Sequence, residues 1–156
     1  MEGRRIKGQI GVIGGGECPH EVYEIAREVG GEIARQGFSL VCGGLGGVMD
    51  AACRGAQEAG GITIGILPTS DRRDANPYID VVIPTGLGHA RNILVVHASD
   101  ALVAIDGGAG TLSEIAIALK VGKPIVGIMT WELEGRVSMA QGGREAVTMV
   151  IDLMRR

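Results

Sequence analysis

The sequence predicts an α/β fold: a three-layer α/β/α sandwich wound around a mainly parallel sheet of six or seven strands. Three observations carry this. Short apolar runs alternate along the whole chain with stretches of helical period. The runs at 62–67, 101–105 and 125–129 are almost continuously apolar, as strands covered on both faces must be. The turns between runs and helices are rich in glycine, with 27 in 156 residues, against a usual share of about 7%.

The elements follow in order. A first strand over 9–13 ends on Gly14, Gly15 and Gly16. A helix over 21–36 sets Val22, Ile25, Ala26, Val29 and Ile33 on one face and stops at Gly37. Strand two, 38–42, runs into Gly43, Gly44, Leu45, Gly46 and Gly47; its helix covers 48–59. Strand three, 62–67, is followed by a polar loop over 68–77 carrying Asp71, Arg72, Arg73 and Asp74, a candidate lid. Strand four is 79–83, and a helix around 89–99 leads to strand five, 101–105. The turn Gly107-Gly108-Ala109-Gly110 opens a helix over 111–121. Gly122, Lys123 and Pro124 turn the chain into strand six, 125–129, and a last helix covers 143–154. Short turns join strands and helices throughout, which gives a doubly wound sheet. No boundary interrupts the pattern, so residues 1–156 are expected to form one phosphate- or nucleotide-binding domain.

Bulk properties narrow the function. A net charge of −3 and a pI near 5.6 argue against a general nucleic-acid or anionic-membrane surface. Aromatic residues are 3% of the chain, so stacking platforms for single strands are scarce. No run approaches the roughly 20 apolar residues of a membrane span. The basic start of the chain is not followed by an apolar stretch with a cleavage site, so no signal peptide is expected. Cys18, Cys42 and Cys53 are an odd count without metal-ligand spacing and read as reduced thiols of a cytoplasmic protein. His20, His89 and His97 lack zinc spacing, and no metal site is expected.

The chemistry concentrates in the glycine-rich turns. A helix start offers unpaired N–H groups and the positive end of a dipole, and glycines let an anion approach them. The candidate phosphate-binding residues are therefore Gly14, Gly15, Gly43, Gly44, Gly46, Gly47, Gly107, Gly108, Ala109, Gly110 and Thr111, with Asp106 ending strand five beside them. Neither a P-loop nor a full GxGxxG is present. The segment 43–50 aligns with 107–114: each has GGxG after a strand and a carboxylate, Asp50 or Glu114, at the same offset. That repeat fits either two similar anion turns or two similar packing constraints. Glu114, expected in the first turn of its helix, is a candidate catalytic carboxylate. Arg91 heads an apolar helix, where an unpaired buried charge is costly and a phosphate or a local carboxylate would satisfy it. The patch Ile93-Leu94-Val95-Val96 is apolar all round, as a buried helix or a subunit interface would be.

Residues 88–92, Gly-His-Ala-Arg-Asn, and 106–114, Asp-Gly-Gly-Ala-Gly-Thr-Leu-Ser-Glu, together resemble the signature of the Lonely-guy (LOG) or "lysine decarboxylase-like" superfamily, a PGGxGTxxE motif preceded by a helix bearing an arginine. Segment 43–50 resembles its GGxxGLMG block. The resemblance runs from Ile10 to about Met129. It implies a Rossmann-like fold, a homodimer or homotetramer, and a site for a phosphorylated small molecule. It also implies that Arg91 and Glu114 fall on the catalytic pair of enzymes that cleave the N-glycosidic bond of nucleoside 5′-monophosphates. It implies no decarboxylation and no pyridoxal-phosphate lysine. Asp106 stands where proline is usual and Asn92 where a lysine is usual. The wording GGxGTLSEIAxALKxGKP is closer to the molybdenum-cofactor carrier branch, which implies binding of a molybdopterin-type cofactor as cargo rather than catalysis, with no cofactor required. The expected function is thus ligand carriage; the alternatives are a phosphoribohydrolase, or a sensor or scaffold with a decayed site.

Overall fold

The computed structural model describes residues 5–156; Met1, Glu2, Gly3 and Arg4, part of the basic start noted above, lie outside the described residues. Seven strands form one parallel sheet: β1 (Gln9–Gly14), β2 (Ser39–Cys42), β3 (Thr63–Leu67), β4 (Val81–Pro84), β5 (Ala101–Ile105), β6 (Ile125–Ile128) and β7 (Ser138–Met139). Their order is β4-β3-β2-β1-β5-β6-β7. The helices are α1 (His20–Arg35), α2 (Val48–Glu58), α3 (Arg91–Ala98), α4 (Ala109–Val121) and α5 (Gly143–Met154).

Alternation along the strands builds two cores. Val12, Val103, Ile105 and Ile128 face α1, α2 and α5, whereas Ile13, Val41, Leu102 and Ala104 face α3 and α4. All five residues of β5 are buried, which its unbroken apolar run foretold. The α/β/α layering and the Rossmann-like sheet therefore match the expectation, and the sheet is parallel throughout.

Three boundaries differ for tertiary reasons. The last strand, β7, is two residues long, too short for any periodicity, and exists by pairing with Val126 and Gly127. The helix expected from 89 is a 3-10 turn, Gly88–Ala90, before α3 starts at Arg91. Helix α4 begins at Ala109, so Glu114 is its sixth residue and sits in the second turn rather than the first. No described helix is long and apolar enough to cross a membrane.

The chain order reverses between β1 and β5. Beyond β1 the chain enters α1 on one face; beyond β5 it enters α4 on the other. Gly14 is in register with Ile105, so both strands end level and leave a crevice at a topological switch point. The three glycine clusters follow β2, β1 and β5, which are adjacent strands.

Candidate functional site

The crevice is a cleft of about 310 Å³ lined by Gly14, Gly15, Gly16, Leu45, Met49, His89, Arg91, Asn92, Gly108, Gly110, Thr111 and Glu114. A larger groove, about 730 Å³, runs between α1 and α2. There Arg27 is paired with Glu24 and Glu58, as on an ordinary solvated face.

The start of α4 forms one wall. The first bond of the helical ladder is Leu112 N–H to Gly108 C=O, 3.0 Å, and Gly108 supplies no side-chain cap. The amides of Ala109, Gly110 and Thr111 are thus left for a ligand or water. A methyl group built on Gly108 or Gly110 would meet nothing within 4 Å, so that backbone is open to an anion. Thr111, buried, packs its side chain against Gly107, whose φ is +91°.

Arg91, the first residue of α3, supplies the cation. It is 9% exposed, forms no salt bridge among the described residues, and leaves Nε buried without a hydrogen-bond partner. Burial pulls its pKa below the ordinary arginine value, with Glu114 opposing that. The guanidinium lies against Gly43, where a Cβ would fall on Nη1. Glu114 faces the same cleft, 7% exposed, and burial pushes its carboxyl up to about 7 although Arg91 opposes the shift. Asn92 is also buried, and its Nδ2 donates to Ser113 Oγ at 3.0 Å, which donates on to Gly110 O at 2.8 Å.

The sequence-predicted residues divide accordingly. Gly14, Gly15, Gly108, Gly110, Thr111, Arg91 and Glu114 meet at the cleft. Gly43, Gly44, Gly46 and Gly47 are not among its lining residues. Gly43 makes room for Arg91, and Gly47 lies against Gly15 and Gly16. Asp106, Gly107 and Ala109 shape the turn behind the wall; Asp106 has φ +49° and its carbonyl accepts from Thr130 Oγ1 at 2.6 Å. The aligned glycine turns are not equivalent. The first amide of α2, Val48, donates to Gly15 O, and Asp50 accepts from Tyr23 Oη at 2.6 Å, so that turn is engaged in packing. Leu45, Met49, His89 and Gly16 escaped the sequence reading as lining residues. Only their position beside glycine turns hinted at them.

Cys42 and Cys53 are buried free thiols with their sulfurs 3.5 Å apart, and Cys18 is half-buried. Burial, then Asp106 and Asp50, raise the Cys18 pKa.

A buried arginine, unpaired among the described residues, stands beside an uncapped helix start at the switch point of a parallel sheet, in a Rossmann-like protein. The chain belongs to the SLOG cluster4 family, whose model matches residues 7–153. A protein of Archaeoglobus fulgidus whose name assigns no function is 53% identical over 77% of this chain and 79% of its own length. The cytokinin riboside 5′-monophosphate phosphoribohydrolase of Mycobacterium tuberculosis is 37% identical over 71% of this chain and 64% of its own length. Among solved structures, the molybdenum cofactor binding protein of Rippkaea orientalis superposes with a TM-score of 0.89 at 36% identity, covering 95% of this chain and 98% of that one. The molybdenum cofactor carrier protein of Chlamydomonas reinhardtii gives 0.87 at 37%, covering 96% and 100%. The resemblance read from residues 88–92 and 106–114 is thereby shown at the level of the family.

Proposed function

We propose that the chain holds a phosphorylated, nucleotide- or pterin-like small molecule in the manner of a cofactor carrier. Its phosphate sits on the free amides of residues 109–111, with Arg91 as counter-charge. The observation that carries this is Arg91 itself: a buried guanidinium with no carboxylate paired to it among the described residues and an orphaned Nε needs an anion. A pterin phosphate of the molybdenum-cofactor class fits that grip, and the carrier neighbours support it. Among the described residues no cluster of three or more His, Cys, Asp or Glu could hold a metal ion, so such cargo would be gripped through its phosphate. Asp106 accords with the carrier branch: its left-handed φ is closed to the proline usual at this place in the superfamily's signature.

One observation favours the second reading, a nucleoside 5′-monophosphate phosphoribohydrolase. A carboxyl poised near 7 in a cleft suits acid–base work or stabilisation of charge at an anomeric carbon. Incubation with AMP and cytokinin riboside monophosphates decides. Carriage predicts saturable binding without release of free base, and a phosphorylated ligand found by mass spectrometry on the natively purified protein. Base release that disappears in Glu114→Ala establishes the hydrolase. If no phosphate ligand raises the melting temperature, the site has decayed and both readings fail.

The same proposal includes one domain and a homodimer or homotetramer. Helix α3 splits its apolar patch: Val95 and Val96 are buried, but Ile93 and Leu94 are 46% and 39% exposed. Val81 and Ile83 of the edge strand β4 pair in register with Ile64 and Ile66, which puts them on that same face, and both are exposed. With Leu87 these residues form an apolar surface suited to a second copy. Light scattering of Leu94→Asp, expected to lower the mass, tests it.

A further inference from the structure

The loop after β6 is fastened to the turn that opens α4. Thr130 Oγ1 donates to Asp106 O at 2.6 Å, and Trp131 Nε1 donates to Gly108 O at 3.2 Å. Gly108 lines the cleft, so the indole stands one residue from the free amides of 109–111. The described non-glycine residues with left-handed φ are Asp106, Met129, Leu133 and Glu134, at 49° to 56°. All four belong to this loop or to the turn beneath it. Backbone of that kind costs energy at each residue and persists where the surroundings hold it in place. Here it holds a tryptophan with its single donor engaged on a carbonyl and 41% of its surface exposed. The rest of the indole is in part open to solvent.

The chain has few aromatic residues to offer otherwise. Tyr23 is held by Asp50, Tyr78 packs against the core, and Phe38 adjoins β2 at the opposite end of the sheet. The cleft, about 310 Å³, is at the small end of the range for ligand sites. A planar heterocycle on that phosphate that extends past the cleft lies over its rim.

We propose that Trp131 is the stacking platform for the heterocycle of the bound ligand, so that the ligand class is a phosphate ester carrying a fused planar ring, purine or pterin. This rests on the phosphate site proposed above. The indole lies across Gly108 from the cleft, with exposed Met129 beside it in the loop, and the ring stacks on the indole while the phosphate stays on the helix start.

The test uses the full chain with GMP, whose bicyclic base resembles a pterin, and ribose 5-phosphate, which lacks a ring to stack. Trp131 is the only tryptophan, so its fluorescence reports on this subsite alone. The expected result is saturable quenching by GMP but not by ribose 5-phosphate, with both binding by calorimetry. Trp131→Ala weakens GMP about ten- to hundredfold and leaves ribose 5-phosphate unchanged. Trp131→Phe, which keeps a ring but loses the bond to Gly108, falls between and serves if the alanine variant does not fold. Unchanged GMP affinity in both variants overturns the proposal, as does equal weakening of both ligands, which would make Trp131 a support for the turn. If neither ligand binds the wild-type chain, the phosphate site itself fails and this subsite with it.

Discussion

Arg91 and Glu114 line one cleft from the first turn of α3 and the second turn of α4, each more than nine-tenths buried, without closing into an ion pair. An arginine neutralised by its neighbour would have little use for an anion; this one is left available. The carboxyl, held near 7, then governs how attractive the cleft is to negative charge.

Anion affinity should therefore depend on pH through Glu114. Above pH 7 the carboxylate is ionised and repels an incoming anion; below it the group is neutral and Arg91 acts alone. Sulfate is the probe, because its own charge is constant over the range. Its affinity is expected to rise about tenfold between pH 8.5 and pH 6. Glu114→Gln should bind sulfate tightly at both pH values. A wild-type profile as flat as that of the variant would separate Glu114 from the anion site.

Stability should carry the same signature. The folded carboxyl titrates near 7, above its ordinary value of 4.5, so the folded state favours the protonated form. The contribution is fully present below the unfolded value and is lost as pH rises through 7. Denaturant unfolding should show Glu114→Gln more stable than wild type by roughly 3 kcal/mol at pH 8.5, and nearly equal to it at pH 4. Equal stabilities at pH 8.5 would argue against the raised value.

Much of this was legible in the sequence. The strands β3, β5 and β6 announced themselves as unbroken apolar runs, and the helix starts as glycine clusters, because both are demands on residue type. Arg91 stood out because a cation at the head of an apolar helix needs a partner. Which glycines face the ligand was not legible. Segments 43–50 and 107–114 align, yet Val48 N bonds to Gly15 O while the first amides of α4 have no partner among the described residues. That difference is made by β1, far from both in sequence. The Trp131 loop left little trace either, since three of its left-handed residues are methionine, leucine and glutamate and Gly135 is its one left-handed glycine.

Gly43 is the space in which the Arg91 side chain lies. A Cβ there would fall on Nη1 and would press on Met49 Sδ at 2.9 Å. Gly43→Ala should displace the guanidinium and cut sulfate affinity at least about tenfold, with an overpacking cost of roughly 1–3 kcal/mol. Once Arg91→Ala has removed the side chain, adding Gly43→Ala should cost little further affinity. A double-mutant cycle reads this directly: additive losses would mean that the two residues act independently.

Asp106 offers a test of the turn behind the anion site. Its φ of +49° lies outside what proline can adopt, and its N–H donates to Ile128 O at 3.0 Å. Asp106→Pro, the residue usual in the superfamily's signature, should therefore cost about 3 kcal/mol or more, through the wrong φ and the lost donor. Asp106→Gly keeps both φ and donor and relieves roughly 1 kcal/mol of left-handed strain. The melting temperature should fall in the first variant and hold or rise in the second. If proline were accepted without loss, the backbone here would be free to take the turn of the proline-bearing signature, and Asp106 would no longer favour carriage over catalysis.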